Sequence, residues 1–156
     1  MTAGDVVGMV SVLFAGMLAG EEFLVRYGVR GPLASLDDRT HIQFRQALIR
    51  PMRVLVPALY VAALLAGAAA TALDGTDAGL PERCAGIAVL VVWIAVTMGG
   101  TVPINSAAMA WDPSAPPASW RAQVERWERL NTVRMWAAVV AFALLLTGIM
   151  MSAAAS

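Results

Sequence analysis

The chain has 156 residues, 59% hydrophobic and 14% charged, against about a quarter charged in a soluble domain, so the composition points to lipid. The formal net charge is zero and all eleven basic residues are arginine; no Walker loop, Rossmann fingerprint, haem attachment site or nucleic-acid module is present. The single cysteine, Cys84, excludes an internal disulfide and a cysteine-cluster metal site, and its apolar surroundings predict a packing role.

Four segments are apolar enough to cross about 30 Å of hydrocarbon at roughly 20 residues each. The first is predicted over about 6–27. The N-terminal Met1-Thr-Ala-Gly-Asp5 has no basic residue, so the first span is expected to remain rather than be cleaved as a signal. A turn-rich connection containing Gly31-Pro32 and Asp37-Asp38 is expected over 28–39. The second span is predicted over 54–73, with an amphipathic helical approach from about Thr40. A short polar loop follows, and the third span covers about 85–110, with Gly99-Gly100 and Pro103 marking a kink. Three prolines keep Trp111–Trp120 out of regular helix, and the fourth span runs over about 133–153. The expected fold is therefore all-α: one integral membrane domain, residues 1–156, built as a polytopic four-helix bundle.

Arginine placement sets the expected orientation. Ten arginines fall in or beside the first and third connections and only Arg83 in the second, which predicts both larger connections in the cytoplasm and both termini outside. The expected location is a multi-pass protein of the cell membrane. Gly16 and Gly20 form a GxxxG pair, Gly8, Ser11, Ala15 and Ala19 a small-residue stripe, and Ala66, Gly67 and Ala70 a second patch. Such positions let helix backbones approach closely in lipid.

Glu21 and Glu22 are the anomaly in this apolar chain. An ionised acid at a helix centre costs roughly 2.5 kcal/mol or more in lipid, so an intramembrane glutamate needs protein, water, a cation or a proton. Helical phase, about 100° per residue, puts Glu22 on the small-residue stripe facing the bundle and Glu21 with Phe14, Met17 and Leu24 on a bulkier face towards another helix or subunit. Glu22 either pairs with Arg26 one turn on or serves an interior site. The other helices add polar groups at the same depth. His41, Arg45 and Met52 share a face of the second, and Thr101, Asn105, Ala108 and Asp112 align on the third. Trp127, Asn131, Arg134 and Ala138 align on the fourth, where Arg134 is the candidate counter-ion for either glutamate. Trp111, Trp120, Trp127 and Trp136 also fit an interfacial aromatic belt. Convergence from four helices points to an interhelical pocket.

Ala19-Gly-Glu-Glu-Phe23, Gly28-Val-Arg-Gly-Pro32, Thr101-Val-Pro-Ile-Asn105 and Arg126-Trp-Glu-Arg-Leu-Asn-Thr-Val-Arg134 together resemble the anthrone-oxygenase-like family of four-helix membrane proteins. The resemblance extends from about Gly4 to Ala143 and covers Asn105, Trp127, Asn131 and Arg134. It implies oxidation of anthrones to anthraquinones with molecular oxygen, although many members have no assigned function. Members commonly carry histidine where this chain has Asn131, which leaves His41 as its sole imidazole.

The chemistry of such a reaction is acid–base chemistry. An anthrone is acidic at the carbon between its rings, and its enolate is electron-rich enough to react with oxygen. A base, donors for the enolate oxygen and an apolar oxygen-permeable pocket promote it. The candidate catalytic residues are Glu22 or His41 as base, with Asn105, Asn131 and Arg134 as donors; Met52, Thr101, Trp111 and Trp127 are candidate substrate-binding residues. The reaction is either cofactor-independent or served by a transition metal such as copper or iron, with Glu21 or Glu22 and His41 as candidate ligands. Expected partners are a lipophilic aromatic (anthrone- or quinol-like) substrate, the bilayer, and a second copy or a membrane partner, with no nucleic acid. The competing reading is a non-catalytic subunit whose buried ion pairs direct assembly.

Overall fold

A computed structural model describes residues 2–155 as helices and their connections, with no strand among the described residues. Four helical rods are long and apolar enough to cross a membrane: Ala3–Ala34, Asp38–Asp74, Leu80–Met109 and Trp120–Ala155. The first comprises α1 (Ala3–Leu24), a π turn (Val25–Val29) and α2 (Arg30–Ala34); α3 is the second (Asp38–Asp74). The third comprises α4 (Leu80–Val96), a second π turn (Thr97–Thr101) and α5 (Val102–Met109), and α6 is the fourth (Trp120–Ala155).

Local chemistry explains where the rods begin. Thr2 and Asp5 form a reciprocal capping box at the start of α1. The Asp37 carboxylate accepts from the Thr40 backbone N–H at 3.1 Å and starts α3; these bonds hold the exposed Asp37 carboxyl below its ordinary range. The amphipathic approach from Thr40 is thus continuous with the second span. The expected connection over 28–39 is much shorter, because helix persists through Ala34. Pro32 follows closely on the first π turn, whose i→i−5 pairing already departs from the ordinary ladder that a residue without an N–H would break. Pro103 likewise falls in the first turn of α5, just after the second π turn. The kink expected at Gly99-Gly100 is this π turn.

α1 packs along α3 and α6, and α4 packs along α6, whereas α3 and α4 touch only slightly. The small-residue stripe faces both α3 and α6: Gly8, Ser11, Ala15, Ala19 and Glu22 are all buried. The Ser11 hydroxyl donates to the Ala63 carbonyl at 2.8 Å, and Gly67 lies so close that a Cβ there would stand 2.9 Å from Ser11 Oγ. The GxxxG pair divides: Gly16 packs on Phe142, while a Cβ at Gly20 would meet nothing within 4 Å. Gly20 is therefore not a packing position.

At the end opposite the arginine-rich connections, the lone Arg83 is buried, 2% exposed. Its Nη1 and Nη2 donate to Asp77 at 3.0 and 2.7 Å, and Nη1 also donates to Ser152 Oγ at 2.6 Å. The guanidinium holds the Asp77 carboxyl below the usual aspartate range. Beside this clasp, Gly79 and Gly148 bring two backbones together, and a Cβ on Gly79 would sit 1.9 Å from the Gly148 carbonyl oxygen. Cys84, expected in packing, is instead exposed, because its neighbour Arg83 takes the inward position on this turn of α4.

Candidate functional site

Both π turns face one space between the rods, through Val25, Val29, Thr97 and Thr101. A π turn carries an extra residue in the helical ladder, which widens the helix and shifts the phase of the residues beyond it. Between the rods is a cavity of about 420 Å³, within the ordinary range for small-molecule sites. All four rods line it. Its apolar wall comes from residues such as Val25, Leu48, Val56 and Ile94, and its mouth lies at the slack α3–α4 seam, where the lining residues Val61, Met98 and Val102 are exposed.

Glu22 is 1% exposed and forms an ion pair with Arg134 Nη2 across the α1–α6 contact. Arg134 Nη1 donates to Thr101 Oγ1 at 3.3 Å, and its guanidinium lies 4.6 Å from the Trp93 ring centroid. Trp93 in turn stacks on Tyr60 at 5.1 Å and 18°. Glu22 does not pair with Arg26, whose Nε donates to Thr132 Oγ1 at 3.0 Å instead. The first π turn explains this, since it removes the simple i,i+4 phase between the two residues. Arg134 lines the cavity with its Nε unpartnered, while Glu22 sits behind it and is not a lining residue.

Of the glutamate pair, Glu21 is the one that lines the cavity, where Glu128 of α6 is the other acid. Helical phase directs Glu21 towards another helix or subunit, and in the structure both adjacent positions face the interior, Glu22 at the α6 contact and Glu21 at the cavity. Its Oε2 is buried with no hydrogen-bond partner, and Arg134 acts electrostatically on both carboxylates. Thr101, Asn105, Met52, Trp127 and Asn131 also line the cavity; Asn105 Oδ1 and Trp127 Nε1 are unpartnered.

His41 and Trp111 lie elsewhere. His41 meets Trp120 edge-on at 5.2 Å, and Trp120 meets Trp111 at 6.3 Å. Trp111 and Trp120 cluster with Ile42, Ile49, Ala108 and Val124, an apolar plug joined to the cavity wall through Ile49. Gln46 fixes the plug by donating to the Ala108 and Trp111 carbonyls, both at 2.9 Å. The buried Trp111 and Trp120 thus do not serve an aromatic belt, whereas Trp136 is exposed. His41 sits one turn into α3 and one turn before Arg45, with which the α3 part of the cavity wall begins. It is not a lining residue, so the set Glu21, Glu22 and His41 is not assembled around the cavity. Among the described residues no group of three or more His, Cys, Asp or Glu side chains is placed to hold a metal ion.

Sequence reasoning put Arg45 on a polar face without assigning it a site role, and passed over Tyr60 and Trp93. The signals were present. The stripe that joins Arg45 to Met52 continues at helical spacing through Val56 to Tyr60, and Trp93 lies mid-span, too deep for an interfacial belt. Arg45 is 5% exposed, with its guanidinium 4.4 Å from the Trp127 ring centroid and Nε and Nη2 unpartnered.

These cavity residues fall mostly within one recognisable stretch. No curated protein matches the chain, and no solved structure matches it. The anthrone oxygenase family pattern matches residues 44–144, which takes in Arg45, Trp93, Asn105, Trp127, Asn131 and Arg134 and begins after Glu21 and Glu22. With roughly two thirds of its length so matched, this four-span membrane chain belongs to the anthrone oxygenase family.

Proposed function

We infer that the protein is a membrane-embedded oxygenase that oxidises an anthrone-like aromatic with molecular oxygen, and that Glu21 is its base. The carrying observation is the Glu21 carboxylate, with one oxygen unpartnered, in an apolar cavity whose mouth lies among exposed apolar side chains. A lipophilic tricyclic enters sideways from the bilayer through the α3–α4 seam. Its acidic carbon comes to Glu21, which takes a proton, and the resulting enolate oxygen meets the Arg134 guanidinium and the Asn105 and Asn131 amides. The enolate carbon gives electrons to oxygen and binds it as a hydroperoxide. Loss of the second hydrogen from that carbon expels water and leaves the new carbonyl. One anthrone and one O2 thus give one anthraquinone and one water, with atoms and electrons balanced.

Glu22 has a positioning role in this scheme. It neutralises Arg134 from behind and fixes the guanidinium at the cavity wall, while Tyr60, backed by the stacked Trp93 ring, offers its outer face to an aromatic substrate. Met52, Thr101 and Trp127 complete the binding surface.

The test is oxygen consumption by purified protein in lipid nanodiscs after addition of an anthrone, with quinone formation read by absorbance. Glu21→Gln should lower kcat by about 10²–10⁴, the usual contribution of a general base, with the helical content unchanged. A Glu21→Gln enzyme of wild-type rate would remove Glu21 from the chemistry. No anthrone-dependent oxygen uptake by the wild type would sink the oxygenase reading.

A further inference from the structure

Among the described residues, Arg45 is a buried arginine of the cavity that no carboxylate pairs. Of the other arginines lining the cavity, Arg134 pairs with Glu22 and Arg30 with Glu128, Arg26 bonds Thr132, and Arg53 is exposed. Arg45 is 5% exposed and has no carboxylate within ion-pair distance among the described residues. Glu128 acts on it only at longer range and is itself held by Arg30 at 2.7 Å. A buried charge left without a counter-ion is costly, and the Trp127 ring offers its face rather than an anion.

The identity of the free atoms narrows what is missing. Nε and Nη2 are the two buried nitrogens without a partner, and they lie on one edge of a guanidinium. Their N–H bonds run parallel, a fork that fits the two oxygens of a carboxylate. Because Trp127 covers one face of the guanidinium, the plane of the fork is fixed, so the bound group must approach edge-on.

We propose that the cavity takes a polycyclic aromatic acid, with an ionised carboxylate bound side-on to Arg45 Nε and Nη2 and the ring system running along the apolar wall towards Tyr60. This deepens the reading of the cavity as a substrate site and rests on it. Arg45 binds and orients the substrate at one end, and Glu21 acts at the other. The carboxylate also explains how an apolar substrate is placed in one orientation rather than sliding along a mostly greasy wall.

The proposal is tested by binding, independently of oxygen chemistry. Anthracene-2-carboxylate and anthracene-2-carboxamide are titrated into the protein in nanodiscs and followed by their own fluorescence. The wild type should prefer the acid by roughly ten- to a hundredfold, the span of a charge-assisted bond. Arg45→Gln should abolish that preference and Arg45→Lys should weaken it, since lysine keeps the charge without the fork; Arg50→Gln, at an exposed arginine that does not line the cavity, should retain it. The ratio of acid to amide within each variant cancels their different partitioning into lipid. Equal binding of acid and amide by the wild type overturns the proposal even if no Arg45 variant folds, as does a preference that survives in Arg45→Gln. A clear acid preference without anthrone oxidation leaves the acid site standing and removes the oxygenase. Oxidation of neutral anthrones without any acid preference does the reverse.

Discussion

Glu21 and Glu22 are neighbours in sequence with opposite circumstances: one is ion-paired at a helix contact, and the other faces a cavity with an oxygen unpartnered. The sequence announced both acids, since carboxylates in an apolar helix are conspicuous, but it could not divide their roles. That division depends on how wide the bundle is at their depth, which no single helix encodes. Truncating one member of the Glu22–Arg134 pair strands the other, so Glu22→Gln should destabilise by about 3–5 kcal/mol. Thermal unfolding in detergent should show Glu22→Gln with Arg134→Gln losing less than the sum of the single changes; simple additivity would mean no pair. A second acid sets a pH limit at the far end. Asp77 has a depressed pKa owing first to the Arg83 hydrogen bonds, so its stabilising contribution is complete above the ordinary aspartate value of 3.8. It is lost as pH falls through the lower folded value. Melting temperatures of wild type and Asp77→Asn should therefore differ at neutral pH and converge below that window.

At the scale of elements, the two π turns decide where polar groups point. Each is marked by glycine, Gly28 in one and Gly99-Gly100 in the other, with proline three or two residues beyond the turn. Composition reads as a kink at Gly99-Gly100 and as the end of the span at Gly28, because a glycine–proline signal does not distinguish a kink, a turn or an inserted residue. Deleting Met98 should close the turn to ordinary helix, keep the residues beyond it in phase and narrow the rod where it lines the cavity. Aromatic binding measured by fluorescence should then fall while the four spans still insert. The close approach beyond α3 permits a second check. Gly79→Ala drives a methyl into the Gly148 carbonyl, and this overpacking should cost about 1–3 kcal/mol, read as a lowered melting temperature with wild-type substrate affinity.

For the whole molecule, the four-rod count was legible because apolar length alone specifies a span. The pocket was legible in outline because every rod carried a polar group at one depth. The exclusion of His41 and Trp111 was not, for they lie on the same rods as true lining residues, and the packing on Trp120 that takes both of them is a tertiary contact no single helix encodes. The slack α3–α4 seam makes access itself testable. With Cys84→Ser as background, Val61→Cys and Met98→Cys joined by a short thiol-cleavable cross-linker should close the mouth and stop uptake of a membrane-borne aromatic, and reduction should restore it. The ion pair between the first and last spans has a further consequence, for biosynthesis. Glu22 and Arg134 are 112 residues apart, so at roughly 5–20 residues per second the acid emerges on the order of ten seconds before its partner. Through that interval the first helix has no Arg134 to neutralise it. It must wait at the translocon or the headgroup surface, or carry a proton, and it becomes a settled transmembrane element only when the last helix arrives. A nascent chain stopped before Arg134 is therefore the natural substrate for membrane quality control, and completion of the fourth helix releases the first.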